Sequence, residues 1–110
     1  SMTIPSHVTV TIDRPLGSTH PNHPTLVYPV NYGYIEGILG GDGEEQDAYI
    51  LGVDTPLSSF TGRVIAIIHR HNDNEDKWVV APDDATIAET EVRRITHFQE
   101  QYFHITIQMV

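Results

Sequence analysis

The sequence predicts a mainly β domain of the α+β class, a small barrel capped by one C-terminal amphipathic helix. Three observations carry this expectation. Residues 7–12 alternate polar and apolar side chains with β-branched residues at most positions, the period-two signature of a strand. Residues 62–69 hold Val64, Ile65, Ile67 and Ile68 and return through a polar turn into residues 77–81, which reads as an antiparallel pair. After Pro82 the period lengthens to that of a helix.

The elements follow in order. The first strand stops at Asp13-Arg14-Pro15-Leu16-Gly17-Ser18, a Pro/Gly turn. Residues 19–25 contain Pro21 and Pro24 and read as a loop. Residues 27–35 are aromatic-rich and read as short extended pieces around a tight bend, and the glycines of residues 37–43 mark a turn region. Residues 47–53 form a strand, and residues 72–76 form the polar hairpin turn. Thr86 and Glu89 fit a capping box. Val92, Ile95, Phe98 and Tyr102 then fall on one face, so the helix is expected over residues 88–103. Residues 104–109 alternate again and suit a last strand. Residues 2–110 therefore read as a single domain, with Ser1 set aside as foreign to the natural chain.

Composition excludes several function classes. The formal net charge is −9, and Lys77 is the only lysine, so there is no basic footprint for nucleic acid. No cysteine is present, which removes disulfide frameworks and thiolate metal sites. No apolar run reaches membrane-spanning length and no secretory leader is evident, so the expectation is a cytoplasmic protein without a membrane partner.

The carboxylates are not evenly spread. Asp42-Gly43-Glu44-Glu45-Gln46-Asp47 lies between a glycine-rich turn and a strand, where a flexible backbone lets carboxylates converge. Mg²⁺ takes a few carboxylates and keeps waters, and a bound cation can activate one of them. The competing reading is an acidic turn in solvent, and the spacing does not match an EF-hand loop. Asp73, Glu75 and Asp76 precede Lys77 and would hold a cation beside a phosphate oxygen, or form a solvated hairpin tip. Tyrosine hydroxyls near Asn31 can donate to phosphate, although Tyr34 and Ile35 suit an aromatic core. His20, His23, His69 and His71 are compatible with a transition metal, with exposed histidines as the simpler reading.

These residues carry a resemblance. Tyr28-Pro29-Val30-Asn31-Tyr32-Gly33-Tyr34-Ile35 resembles the Y-P-x-N-Y-G-[FY]-I segment of the family I soluble inorganic pyrophosphatases. The acidic run at 42–47 is similar to their D-[SG]-D-P-x-D signature. Gly62-Arg63-Val64-Ile65, Glu75-Asp76-Lys77-Trp78-Val79-Val80-Ala81-Pro82 and His97-Phe98-Gln99-Glu100-Gln101-Tyr102 resemble further segments in the family's order.

The resemblance implies a five-stranded OB-like barrel, a homo-oligomer, and Mg²⁺-dependent hydrolysis of inorganic pyrophosphate, with Mn²⁺ or another divalent ion as a substitute. It implies Asp42, Asp47, Glu75 and Asp73 as metal ligands and Glu44 as the residue that activates water. It also implies Lys77, Tyr32 and Tyr102 as phosphate contacts and Asp13 as a further acidic candidate, while Arg70 is a further phosphate-contact candidate and Arg14 and His20 lie in the shortened segment as candidates to supply positive charge. The chain departs from the family in lacking its hairpin between the first turn and Tyr28. It also has Phe103 where a lysine is usual, and Glu44 and Glu75 replace aspartates. Loss of cations makes a domain that binds metal or a phosphorylated ligand without efficient hydrolysis the alternative, and a scaffold without chemistry the third reading.

Overall fold

The computed structural model describes residues 3–110, so Ser1 and the predicted domain start at Met2 lie outside the described residues. Eight strands and one helix follow in the order β1 (His7–Arg14), β2 (Thr19–His20), β3 (His23–Val27), β4 (Asn31–Leu39), β5 (Glu45–Ile50), β6 (Ser59–Arg70), β7 (Lys77–Ala81), α1 (Glu89–Glu100) and β8 (Ile105–Met109). The main sheet runs β1-β4-β5-β7-β6-β8 and also pairs β1 with β6. Five strands thus close into a barrel, as expected, and closure removes open edges from that ring. The long β6 makes closure possible. Residues 59–63 pair with β1, whereas residues 66–70 pair with β8.

Alternate side chains of the same strands feed two cores. Val8, Val10, Ile12, Ile35, Ala48, Ile50, Val64, Ile67, Trp78 and Val80 come from all five barrel strands and fill the barrel interior. Tyr32, Tyr49, Ile65, Ile68, Val79 and Val92 form the second core, which Ile95 and Phe98 of α1 cover. All of β7 is buried because its two faces serve different cores. A register shift between Val64 and Ala66 puts Ile65 and Ala66 on the same side. This bulge lets β6 bend around the barrel.

Several sequence expectations are corrected. Residues 19–25 are not a plain loop: β2 and β3 form a short hairpin around Pro21 and Asn22, whose N–H donates to His20 Nδ1. Pro24 is tolerated because this ribbon is exposed. The bend expected within 27–35 falls at Pro29 and Val30, and β4 then continues through Gly37, whose positive φ of 82° accompanies a register irregularity. β5 starts at Glu45, two residues earlier than expected, because Glu45 already pairs with Leu39. The capping box is not formed. Ala88 is the N-cap and no side chain caps the helix, so Glu89 acts only through its charge in the first turn. The helix ends at Glu100, and Tyr102 lies beyond it, 68% exposed, rather than on the buried face. Polar Thr96, Gln99 and Glu100 are buried there with Val92.

Gly33 is a packing requirement. It faces Ile12 across the β1–β4 pair, and a Cβ at this position would collide with the Thr11 carbonyl. Gly33→Ala is therefore expected to destabilise the fold by about 3 kcal/mol, read from urea unfolding. His69 on β6 bonds Asp76 Oδ2 (2.9 Å) and Gln108 Oε1 of β8 (2.8 Å). Both partners are acceptors, so both ring nitrogens donate only when the imidazole is protonated. The Gln108 bond, then Asp76, raises its pKa above the ordinary 6.5 against the opposing effect of burial. The stabilisation is complete below the unfolded pKa and is lost as pH rises through the folded one. Between about pH 8 and pH 6, wild type is expected to gain stability relative to His69→Gln in urea titrations.

Candidate active site

The parallel pairing of β5 with β7 sets the site. Ala48 lies opposite Trp78, so the preceding residues, Asp47 and Lys77, are neighbours on one face. Tyr32 of β4 projects to the same place. Asp47 Oδ2 accepts hydrogen bonds from Tyr32 (2.6 Å) and from Lys77 Nζ (2.8 Å). Lys77, only 3% exposed, also donates to Glu75 Oε1. The chain of contacts ends at Asp42, whose carboxylate meets the carboxyl of Glu75. Burial, followed by the bond to Asp42, raises the Glu75 pKa, whereas the Glu75 bond lowers that of Asp42.

A cavity of about 590 Å³ opens over Tyr32, Asp47, Glu75 and Lys77, with the exposed Asp42 outside its lining. Arg14, at the end of β1, enters it. Its Nη1 donates to Tyr28 Oη (2.6 Å), and its guanidinium lies 5.6 Å and 5.4 Å from the centroids of Tyr28 and Tyr32. His20 and His23 of the hairpin, Tyr102 and Phe103 also line the cavity. Burial pushes the Tyr32 and Tyr49 hydroxyls well above the ordinary tyrosine pKa, so they remain donors.

A buried polar network supports the floor. Arg70 Nε and Nη2 donate to Glu100 Oε1 (2.9 Å) and Oε2 (2.7 Å). Its Nη1 reaches Asp73 (3.1 Å), and its plane stacks 3.7 Å from the Phe103 centroid. Tyr49 donates to Glu100 (2.6 Å) and accepts from Gln99 (2.7 Å), while Gln99 accepts from Tyr28 (2.8 Å). Contacts thus run from Arg14 beneath the cavity to Arg70.

The structure brings together Asp42, Asp47, Glu75, Lys77 and Tyr32. It keeps others apart. Glu44 is exposed outside the cavity, and its N–H donates to Asp42 Oδ1 (3.0 Å). Asp73 turns to Arg70, and Arg70 is committed to carboxylates. Tyr102 stands at the mouth, as do His20 and His23, whereas the exposed Asp13 does not line the cavity. The sequence reading missed Tyr28, Gln99 and Glu100 as site-supporting residues. Two polar residues at the end of the helix's buried face were the available signal.

Among the described residues no three His, Asp or Glu side chains gather closely enough to hold one ion. Two do meet, Asp42 and Glu75. Two neighbouring carboxylates plus phosphate oxygens and water match what Mg²⁺ requires. The donor set therefore fits a hard divalent ion.

The fold and cavity define a class of OB-like barrel proteins with acids, lysine and tyrosine gathered at one end. Comparison narrows the class. The family model for inorganic pyrophosphatase matches residues 9–108, so the chain belongs to the inorganic pyrophosphatase family, whose reaction is diphosphate hydrolysis. A search of curated proteins gives no significant match. Solved structures share the fold. That of inorganic pyrophosphatase from Ehrlichia chaffeensis has a TM-score of 0.77 at 18% identity, covering 99% of this chain and 89% of that one. An inorganic pyrophosphatase from Neisseria gonorrhoeae has a TM-score of 0.68 at 21% identity over 88% and 73% of the two chains. The Thermus thermophilus inorganic pyrophosphatase has a TM-score of 0.60 at 19% identity over 100% and 83%.

The Arg70–Glu100 pair has side chains 4% and 1% exposed. Arg70→Met is expected to destabilise the protein by about 3–5 kcal/mol in urea unfolding, because it leaves Glu100 buried without a countercharge.

Proposed function

We propose that the chain hydrolyses inorganic pyrophosphate to phosphate with a divalent cation, Mg²⁺ or in its place Mn²⁺ or another divalent ion. The observation that carries this reading is the contact of Asp42 with Glu75 beside the Lys77–Asp47–Tyr32 cluster. Asp42 and Glu75 would hold the ion, with Asp47 on the far side of Lys77. Such an ion polarises phosphate oxygens and lowers the pKa of water.

The chain's own groups supply the rest. Lys77 has three N–H donors, and two are committed to Asp47 and Glu75. The third is available to a phosphate oxygen. Arg14 has donors beyond the one given to Tyr28, and they add positive charge where the leaving phosphate accumulates negative charge. Tyr32 fixes Asp47 and, through it, the ammonium of Lys77. Glu44, exposed outside the cavity and with a carboxylate that makes no hydrogen bond or ion pair among the described residues, would have to turn toward the cavity to accept a proton from the attacking water. Tyr102 contacts phosphate from the mouth in this reading. Asp73 and Arg70 act indirectly by holding the turn that carries Glu75 and Lys77.

A second reading, binding of a phosphorylated ligand without efficient hydrolysis, draws on a specific observation. Asp47, Glu75, Asp73 and Glu100 already neutralise Lys77 and Arg70. Among the cations that line the cavity, that leaves Arg14 without an ion pair in the described residues.

No helix among the described residues is long and apolar enough to cross a membrane. We infer a cytoplasmic homo-oligomer, in keeping with the exposed apolar residues Leu39 and Val110. The partner is a small phosphate compound, since the net charge of −9 disfavours nucleic acid.

Phosphate release from pyrophosphate tests the reading. Metal-dependent turnover is expected, lost in Asp42→Asn and Glu75→Gln, and about 10²–10⁴-fold slower in Glu44→Gln. Wild-type turnover by Glu44→Gln would remove that residue from the mechanism. No turnover with any divalent ion would leave the second reading.

A further inference from the structure

The cavity is much larger than the ligand just assigned to it. A volume of about 590 Å³ lies in the range that encloses drug-sized molecules, whereas pyrophosphate is only two joined phosphate groups. Depth sorts the lining by chemistry. Lys77, Arg70 and Tyr32 are buried and form the floor, together with the partly buried Asp47 and Glu75. The mouth is made differently. His23 and Thr25 of the hairpin and Tyr102 after the helix are exposed, with His20, Leu26 and Phe103 half-buried behind them. None of these six is a carboxylate, lysine or arginine.

The two groups come from separate segments, the β2–β3 hairpin and the turn after α1, and both border one opening. Of their four rings, those of His23 and Tyr102 are exposed, while His20 packs between His23 and Tyr28. The His20 and His23 rings lie with centroids 4.8 Å apart. Arg70 covers one face of Phe103. Tyr102, 68% exposed, makes no side-chain hydrogen bond or ring contact among the described residues. Burial, Arg14 and His23 lower the His20 pKa, which favours its neutral ring. Flat rings above a phosphate floor suit a ligand with a charged end and a planar aromatic end.

Building on the reading of this site as a phosphoanhydride site, we propose that its ligands include nucleoside diphosphates. The diphosphate sits on the floor at Lys77 and Arg14, and the base lies between the hairpin and the turn after the helix. Cleavage would balance as it does for pyrophosphate. The water oxygen bonds to the terminal phosphorus and the bond from that phosphorus to the bridging oxygen breaks. The bridging oxygen leaves with the nucleoside monophosphate, and one proton is released.

The test is calorimetric titration in Mg²⁺ with two ligands that lack a cleavable bridge, α,β-methylene-ADP and methylenediphosphonate. The nucleotide analogue is expected to bind about tenfold more tightly, the contribution of one or two stacked rings. His23→Ala, an exposed position whose change leaves the barrel intact, is expected to narrow that gap. Equal or weaker binding of the nucleotide analogue, binding of neither compound, or a gap unchanged in His23→Ala would overturn the proposal. Phosphate release from pyrophosphate, measured alongside, separates the two readings. Tight nucleotide binding without that release keeps the ligand class and removes hydrolysis. Release with no preference for the nucleotide analogue keeps hydrolysis and removes the ligand class.

Discussion

The pairing of Arg70 with Glu100 is the interaction on which the rest of the site depends. It joins the last residue of β6 to the last residue of α1, and both side chains are almost wholly out of water. A buried ion pair adds little stability relative to apolar residues of the same volume, so its importance is geometric. Two parallel N–H···O bonds fix the helix end against the barrel. They also fix the start of the β6–β7 turn, from which Asp73, Glu75 and Lys77 project. Tyr49 and Gln99 extend the constraint to Tyr28 and thus to Arg14. Both walls of the cavity are attached to this network, because Phe103 stacks on Arg70 and the hairpin ring of His20 lies over Tyr28.

The barrel supplies the other half of the geometry. Strands β4 to β7 bury side chains on both faces, the inner one in the barrel core and the outer one under the helix, whereas β1 buries only its inner face. Tyr32, Asp47, Lys77 and Tyr49 share the outer face, and there the hydrophobic cluster passes into the polar one. A carboxylate and a lysine on that boundary are partly desolvated, which strengthens their interaction and orders them. The site is therefore a continuation of the second core, with polar groups replacing apolar ones toward the cavity.

The charge balance explains how such a small acidic protein can serve a phosphate ligand. Carboxylates surround the two buried cations, so the charge left over for an anion comes from Arg14 and from the uncommitted N–H of Lys77. Asp42 and Glu75 bring two carboxyl groups together beside these pairs, and burial together with that contact raises the Glu75 pKa.

Much of this was written locally. Period-two alternation gave the first strand, the apolar run at 64–68 and the return at 77–81 gave the central pair, and the lengthened period gave the helix. The order of motifs gave the family and gathered Asp42, Asp47, Glu75, Lys77 and Tyr32 into one expected site. What sequence could not decide was set by partners distant in the chain. Residues 19–27 form a hairpin because their two halves pair, which two prolines disguised. The helix starts without its expected cap, and its last buried turn is polar because Gln99 and Glu100 answer Tyr28, Tyr49 and Arg70 across the barrel. Glu44 and Tyr102 occupy motif positions, yet their side chains stand outside the buried cluster. Local periodicity reports which face of a segment is apolar. Only the closed barrel determines which polar groups meet on that face, since each pairing depends on a contact between residues far apart in sequence.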